Sequence, residues 1–488
     1  MSGVQTTHPE YDEMKTEWML VNACCSGSRE VKKLGTEFVP SPGSKTQANG
    51  EVIYDKARYK SYLTRAIYTN ITGRTLTGLT GAAFRVAPKI SMPAELEYLN
   101  VDADGEGQSI TQMAKDLFSC LLTDGRQGLM VDYPEAPEGL TAEQVALLDL
   151  KATIKRYGAL DVINWRVGVS GGKQRLELVV LRESYNASDY EFGHDQKYQY
   201  RVLRIDESGA YSQQLYRNGI AVSEPRYPKD SNGKVFSFIP FFIVGSQSNN
   251  ASVDPVPLAD IAYVNIGHFI NSADLEENAH VHGQLTLGIT SSLDSDTWKA
   301  MNPSGVVVGS QAGHFLGENG GFTSVQAEPN QLCDKLQERK EAKMLSLGAR
   351  LVEQRNPNET AAAAKIDATG ENSVIADLVG NEEEGFLRSI EWCGMFMGVN
   401  TEKDDIFVMN RQFFEDEKMT PEEIMAQMAM WQGGVTSKAA LDQKLLEGKA
   451  FPEGIDLEEM NAAIENELPS MGLDDTTRNS ERPINQDS

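Results

Sequence analysis

The sequence predicts an α+β protein, and three observations carry that class. Two long segments repeat apolar residues at three- and four-residue steps, short β-like runs lie between them, and a strand-rich stretch precedes both. The first long segment, residues 257–283, places Leu258, Ile261, Ala262, Ile266, Phe269, Ile270 and Ala273 along one helical stripe. Pro257 suits a first turn and Gly283 a position just past the end. Asp260, His268, Asn271, Asp274 and Glu277 fall largely on other faces, so one side packs while another meets water or polar groups. At 1.5 Å per residue this helix spans about 40 Å, the width of a small domain. The second segment, 330–354, carries Leu332, Leu336, Met344, Leu347 and Leu351 on one side and the charged run KLQERKEAK on the other. Between the two, 285–289, 305–309, 314–316 and 322–325 read as short strands separated by Gly, Asn and Ser.

A chain of 488 residues can bury a sizeable core and divide into two to four regions. With 40% hydrophobic and 24% charged residues its bulk is expected to fold. The longest apolar run, 236–245, contains a proline and falls short of the roughly 20 residues a membrane span needs. The first residues lack a basic patch and an apolar stretch, so no secretory signal is expected. Cys24, Cys25, Cys120, Cys333 and Cys393 form no C-x-x-C, which predicts free thiols rather than a disulfide frame or a zinc site. A net charge of −26 opposes a tight grip on nucleic-acid phosphates.

Taken in order, residues 1–55 read as a short helix from Tyr11 to Cys24 and a Gly/Ser/Pro loop, together an edge segment or arm. Residues 54–84 set Tyr59, Leu63, Ile67, Tyr68 and Ile71 at helical spacing, and Arg58, Lys60, Arg65 and Arg74 make this the most basic part of the chain. Basic residues interleaved with aromatics can contact nucleic acid; in so acidic a chain, pairing with carboxylates is the expected role. Asp102, Asp104, Glu106 and Gly107 imitate the opening of a calcium loop, but Met113 replaces its bidentate Glu, so the stretch reads as a turn with Ser109 capping a helix over 110–122. Leu129 to Tyr133 read as a buried strand, with Asp132 at its end more a structural than a catalytic carboxylate.

From 163 to 216 the pattern is strands. Gly168, Ser170 and Gly172 fit a G-x-S-x-G elbow, but a strand continues on the far side, so a glycine-rich hairpin is expected. One more core strand is expected over 238–244. His280 and His282 would point apart on a helix, which argues against a shared metal. Residues 355–372 have the composition of a loop, 373–397 of a helix and 405–414 of a strand. Thr420 and Thr436 are read as caps of two further helices, Asp456 with Glu459 as a capping box, and the stretch beyond Leu468 as disordered.

Several runs in one order, YLTRAIYTNITGRTLTGLTGAAFR, DGEGQSITQMA, LLTDGRQGLMVDYP and PLADIAYVNIGHFINSADLEENAH, resemble a tailed-bacteriophage family formerly listed as a domain of unknown function and associated with portal proteins. The likeness covers roughly residues 50–450. It implies a portal fold: a mixed α/β wing over 1–255, stem helices at 256–283 and 329–355 bracketing a β clip at 284–328, a tunnel loop and wing helix region at 356–419, a helical crown at 420–468 and a tail at 469–488. It further implies a ring of about twelve copies at one capsid vertex, through which double-stranded DNA passes without sequence-specific binding. The partners so implied are the terminase large subunit, the major capsid protein and a scaffold, and the head–tail adaptor. The location implied is the virion, after synthesis in the host cytoplasm.

No catalytic, cofactor or metal site is expected. Asp260, Asp274 and Glu277 are the candidate channel-facing stem residues, and Asn358, Glu359, Thr360 and Lys365 the candidate tunnel loop. The acidic charge would then keep DNA centred and free to slide. The alternatives are a soluble α/β hydrolase built on Ser170, Asp132 and a histidine, or another head-to-tail connector. No G-x-x-x-x-G-K-[ST] loop occurs, so ATP hydrolysis is expected of a separate motor.

Overall fold

The computed structural model describes residues 3–48, 51–134, 141, 144, 147–148, 150–283, 286–303, 305, 316–325, 331–350, 374–401, 406–411 and 421–447. Contacts divide the chain into two units, Met1–Phe413 and Phe414–Ser488.

In the first unit, helix α1 (Pro9–Ser26) starts where His8 accepts from the Glu10 N–H and Pro9 fills the first turn. Trp18, Leu20, Val21 and Cys24 on it are wholly buried. The expected edge arm is therefore a central core helix, because its apolar residues recur at helical spacing and it packs against five other elements. A short helix α2 (Ser28–Val31) and a small hairpin of β1 (Lys45–Thr46) with β2 (Val52–Ile53) follow. The segment read as one helical pattern is two helices, α3 (Lys56–Arg65) and α4 (Ile71–Ala83). The chain breaks because Ala66 turns extended and Asn70 caps α4 by accepting from the Gly73 N–H at 2.8 Å.

After β3 (Lys89–Ile90), Asp102 Oδ1 accepts from the N–H groups of Gly105 and Gly107, and Asp104 Oδ1 from those of Glu106 and Gln108. These carboxylates close a turn, as the failed calcium pattern predicts. Ser109 then caps α5 (Ile110–Asp124). Two sheets follow. Strand β4 (Arg126–Asp132) lies between β5 (Thr153–Gly158) and β11 (Phe241–Gly245), paired antiparallel with both. An antiparallel meander joins β6 (Val162–Ser170), β7 (Lys173–Asn186), β8 (Gln196–Ile205), β9 (Tyr211–Arg217) and β10 (Ile220–Ala221) in sequence order. Between β6 and β7, Gly171 and Gly172 sit at φ +61° and +77°, the pair of left-handed residues that a two-residue hairpin turn requires.

Helix α6 (Ala259–Gly283) leads to an antiparallel ribbon of β12 (Thr286–Thr290) and β13 (Gly321–Val325), with helix α7 (Ser295–Met301) between the strands. Helix α8 (Gln331–Arg350) packs along α6. The two long helices and the ribbon thus fall where periodicity places them; α7 was not foreseen. Much of the expected clip strands at 305–309 and 314–316 lies outside the described residues. Helix α9 (Val374–Met397) buries Leu378, Phe386, Ile390 and Cys393 and packs on β4 and β11. Strand β14 (Phe407–Val408) pairs with β3, a partnership more than three hundred positions apart. One hydrophobic core runs through α1, α4, α5, α6, α9 and both larger sheets.

The second unit shows α10 (Pro421–Gln432) and α11 (Lys438–Glu447) packed together. Ser437, not Thr436, caps α11, accepting from the Ala440 N–H at 3.2 Å. Thr420, the capping box at Asp456 and the tail lie outside the described residues. Among the described residues, no helix is long and apolar enough to cross a membrane.

Candidate functional site: the paired long helices

Helix α6 is seated from both sides by polar contacts that its apolar stripe does not foretell. Ile261, Ala262, Phe269 and Ala273 are buried, as their spacing requires, yet Asn265, His268 and Ser272 are buried with them. Asn265 is the hub. Its Oδ1 accepts from Tyr68 Oη at 2.8 Å, Thr72 Oγ1 at 2.8 Å and the Thr72 N–H at 3.2 Å, while Nδ2 donates to the Thr69 carbonyl at 2.9 Å. The carboxamide therefore serves the backbone exactly where the chain leaves helix between α3 and α4. Ser272 Oγ accepts from the Ile67 N–H at 3.2 Å in the same link.

On the other side, α8 is joined to α6 at adjacent positions. Lys340 Nζ donates to the Gly267 carbonyl at 2.7 Å, and His268 Nε2 is hydrogen-bonded to Glu341 Oε1 at 3.0 Å. A Cβ at position 267 would sit 3.1 Å from the Lys340 ammonium, so glycine is what lets the cation reach the main chain. Burial lowers the Lys340 pKa from its ordinary value. Met344 is fully buried, but Leu332, Leu336 and Leu345 on the same helix are exposed. The apolar side of α8 is thus split between packing and solvent.

The three candidate stem carboxylates have different surroundings. Asp260 is exposed in the first turn of α6, where its charge complements the helix dipole. Asp274 is also exposed, and its Oδ1 accepts from Tyr62 Oη at 2.8 Å. Glu277 is partly buried and forms ion pairs with Arg65 and, at 3.6 Å, with Arg58. Two of the four basic residues singled out in 54–84 therefore meet an acidic neighbour, the expected role, on this helix. Burial first, and the Asp274 contact second, push the Tyr62 hydroxyl pKa up. The tunnel-loop candidates Asn358, Glu359, Thr360 and Lys365 lie outside the described residues.

The residues of the hydrolase alternative do not form its machinery. The Ser170 backbone pairs with Lys173 across a strand-to-strand hairpin, whereas a nucleophile elbow needs a strand-to-helix turn. Asp132 Oδ1 accepts from Gln213 Nε2 at 3.0 Å and faces Arg226 at 3.5 Å, an arrangement that joins β4 to the meander. His280 is exposed near the end of α6, and among the described residues no group of three or more His, Cys, Asp or Glu could hold a metal ion. Sequence reasoning missed Asn265 and Lys340; a polar residue inside an apolar stripe was the available signal for the first.

Residues 257–397 match the family model described as "Domain of unknown function (DUF4055)". The match takes in α6, the ribbon, α8 and α9. No curated protein matches the chain. Among solved structures, a chain of the virion of the native gene transfer agent (GTA) particle is 10% identical, with a TM-score of 0.37, over 78% of this chain and 89% of that one. A chain in the neck of the empty GTA particle, computed with C6 symmetry, gives 10% and 0.38 over 79% and 92%. One in the neck of the native GTA particle, computed with C12 symmetry, gives 11% and 0.38 over 79% and 92%.

Proposed function

We propose that this chain is a portal subunit: about twelve copies form a ring at one capsid vertex of a tailed phage, a channel for genome packaging and ejection and a docking site for terminase and the tail adaptor. The observation that supports it best is the α6–ribbon–α8 unit. Two long helices tied by Lys340 and His268 project a two-stranded ribbon, as the resemblance implies for stem and clip, and the family match spans that unit. The role is structural rather than enzymatic, with ATP hydrolysis left to the motor.

In this reading α6 walls the channel. Glu277 contributes little repulsion because two arginines oppose it, so Asp260 and Asp274 are the carboxylates that keep DNA phosphates off the wall. Electron microscopy and mass measurement of the purified full chain test the proposal. A ring of about twelve with a central hole is the expected result, and a monomer at every concentration sinks it.

A further inference from the structure

Two surface features of the first unit are complementary in charge, and each presents aromatic surface. One is a cavity of about 370 Å³ beside α3, with Lys32, Lys56 and Lys60 around walls of Tyr54, Tyr59 and Leu63. Nearby cations have carboxylate partners: Arg29 and Lys33 pair with Glu30, and Arg58 and Arg65 with Glu277. Among the described residues Lys32, Lys56 and Lys60 have none, although the chain carries 71 acidic residues against 45 Lys and Arg. The start of α3 is not the attraction, since Asp55 already accepts from the Ala57 and Arg58 N–H groups.

The other feature is the 187–195 loop joining β7 to β8. It alternates acid and ring, Asp189, Tyr190, Glu191, Phe192, and its two aromatic side chains are 69% and 71% exposed. The loop is braced from within. Asn186 Oδ1 accepts from the Ser188 and Asp195 N–H groups, Asn186 Nδ2 donates to the Gly193 carbonyl at 2.9 Å, and the Gly193 N–H donates to the Tyr190 carbonyl at 2.9 Å. The Tyr190 and Phe192 rings meet edge to face at 5.8 Å. Asp195 pairs with Lys197 at 2.9 Å, but Asp189 and Glu191 have no ion pair among the described residues. Two large aromatics held in water beside these two carboxylates are the composition of an interface anchor.

We infer that the 187–195 finger of one copy docks into the lysine-rimmed cavity of a second copy, with an aromatic ring against Tyr54, Tyr59 and Leu63 and Asp189 and Glu191 facing the lysines. The contact is head-to-tail, since finger and cavity are different surfaces, and repeated head-to-tail contacts close a ring when the rotation between copies allows. It also gives copies of net charge −26 an attractive patch where their average fields repel. This inference rests on the ring reading and names one contact within it.

The test uses full-length chains carrying Lys56→Glu with Lys60→Glu, Asp189→Lys with Glu191→Lys, and Tyr190→Ala with Phe192→Ala, with circular dichroism as the folding check and mass photometry in low salt as the readout. Each charge reversal alone sets like charges against each other, and the concentration for half-assembly rises about tenfold or more. Mixing the two reversed chains restores assembly, because each cavity then meets a finger of opposite sign. The aromatic truncation weakens assembly and no mixture rescues it. Reversed chains that assemble like the wild type, or folded reversed chains whose mixture stays unassembled, overturn the inference and leave the ring reading standing. A wild-type chain that never assembles removes the ring reading itself, and this contact with it.

Discussion

Lys340 Nζ lies 2.7 Å from the main-chain oxygen of Gly267, so the second long helix grips the first by its backbone rather than by an apolar seam alone. A cation donating to a partly buried carbonyl contributes about 1–2 kcal/mol. Lys340→Met should lower stability in urea by that amount. Gly267→Ala should displace the same ammonium while gaining helix propensity, so the two changes couple: the double variant loses less than the summed single losses, by about 0.5 kcal/mol or more. Strict additivity would show that the contact is not made in solution.

Asn265 supplies four hydrogen bonds to the link between α3 and α4. Asn265→Leu keeps similar bulk but leaves the Thr72 N–H and the Thr72 hydroxyl without this acceptor, while Tyr68 Oη keeps the Cys24 carbonyl. A loss of about 3 kcal/mol is expected, with early hydrogen exchange in 66–72. An unchanged exchange pattern there would remove the carboxamide from its role as the hub.

Glu382 on α9 is wholly buried, and among the described residues neither carboxyl oxygen has a hydrogen-bond partner. Burial pushes its pKa well above the ordinary 4.5. The unfolded chain releases this proton near 4.5 while the folded chain holds it. The group's contribution is therefore intact below that pH and falls as pH rises towards the folded value, by up to about 1.4 kcal/mol per unit. Glu382→Gln abolishes this slope, so its stability relative to the parent rises from pH 5 to pH 8. A difference that stays flat across that range contradicts the assignment.

Charge along the predicted channel is best probed at Asp260. Reversing Glu277 places a lysine against Arg58 and Arg65 and confounds folding with function, whereas Asp260 is exposed. Asp260→Lys costs about 0.3–1 kcal/mol of helix-dipole energy. In the portal reading, Asp260→Lys combined with Asp274→Lys leaves ring formation intact and slows DNA packaging. Packaging at the parental rate would count against repulsion as the reason for the acidic wall.

The sequence alone determined the elements whose cause is local. Periodicity marked both long helices and α9, glycines marked the β6–β7 hairpin, and Ser109 marked the start of α5, because each needs only neighbours within a few positions. The candidate carboxylates on α6 were legible as residues of a polar face, but not their partners. That Glu277 meets two arginines, that Asn265 is a buried hub, and that the first helix lies in the core are set by segments roughly two hundred positions apart. The same holds for Ser437 over Thr436 as a cap, where adjacent hydroxyls offer equal chemistry and the path of the chain selects one. Spacing decides which side of a helix is apolar; only packing decides what each side faces, because burial converts a side chain's chemistry into a partner or a cost.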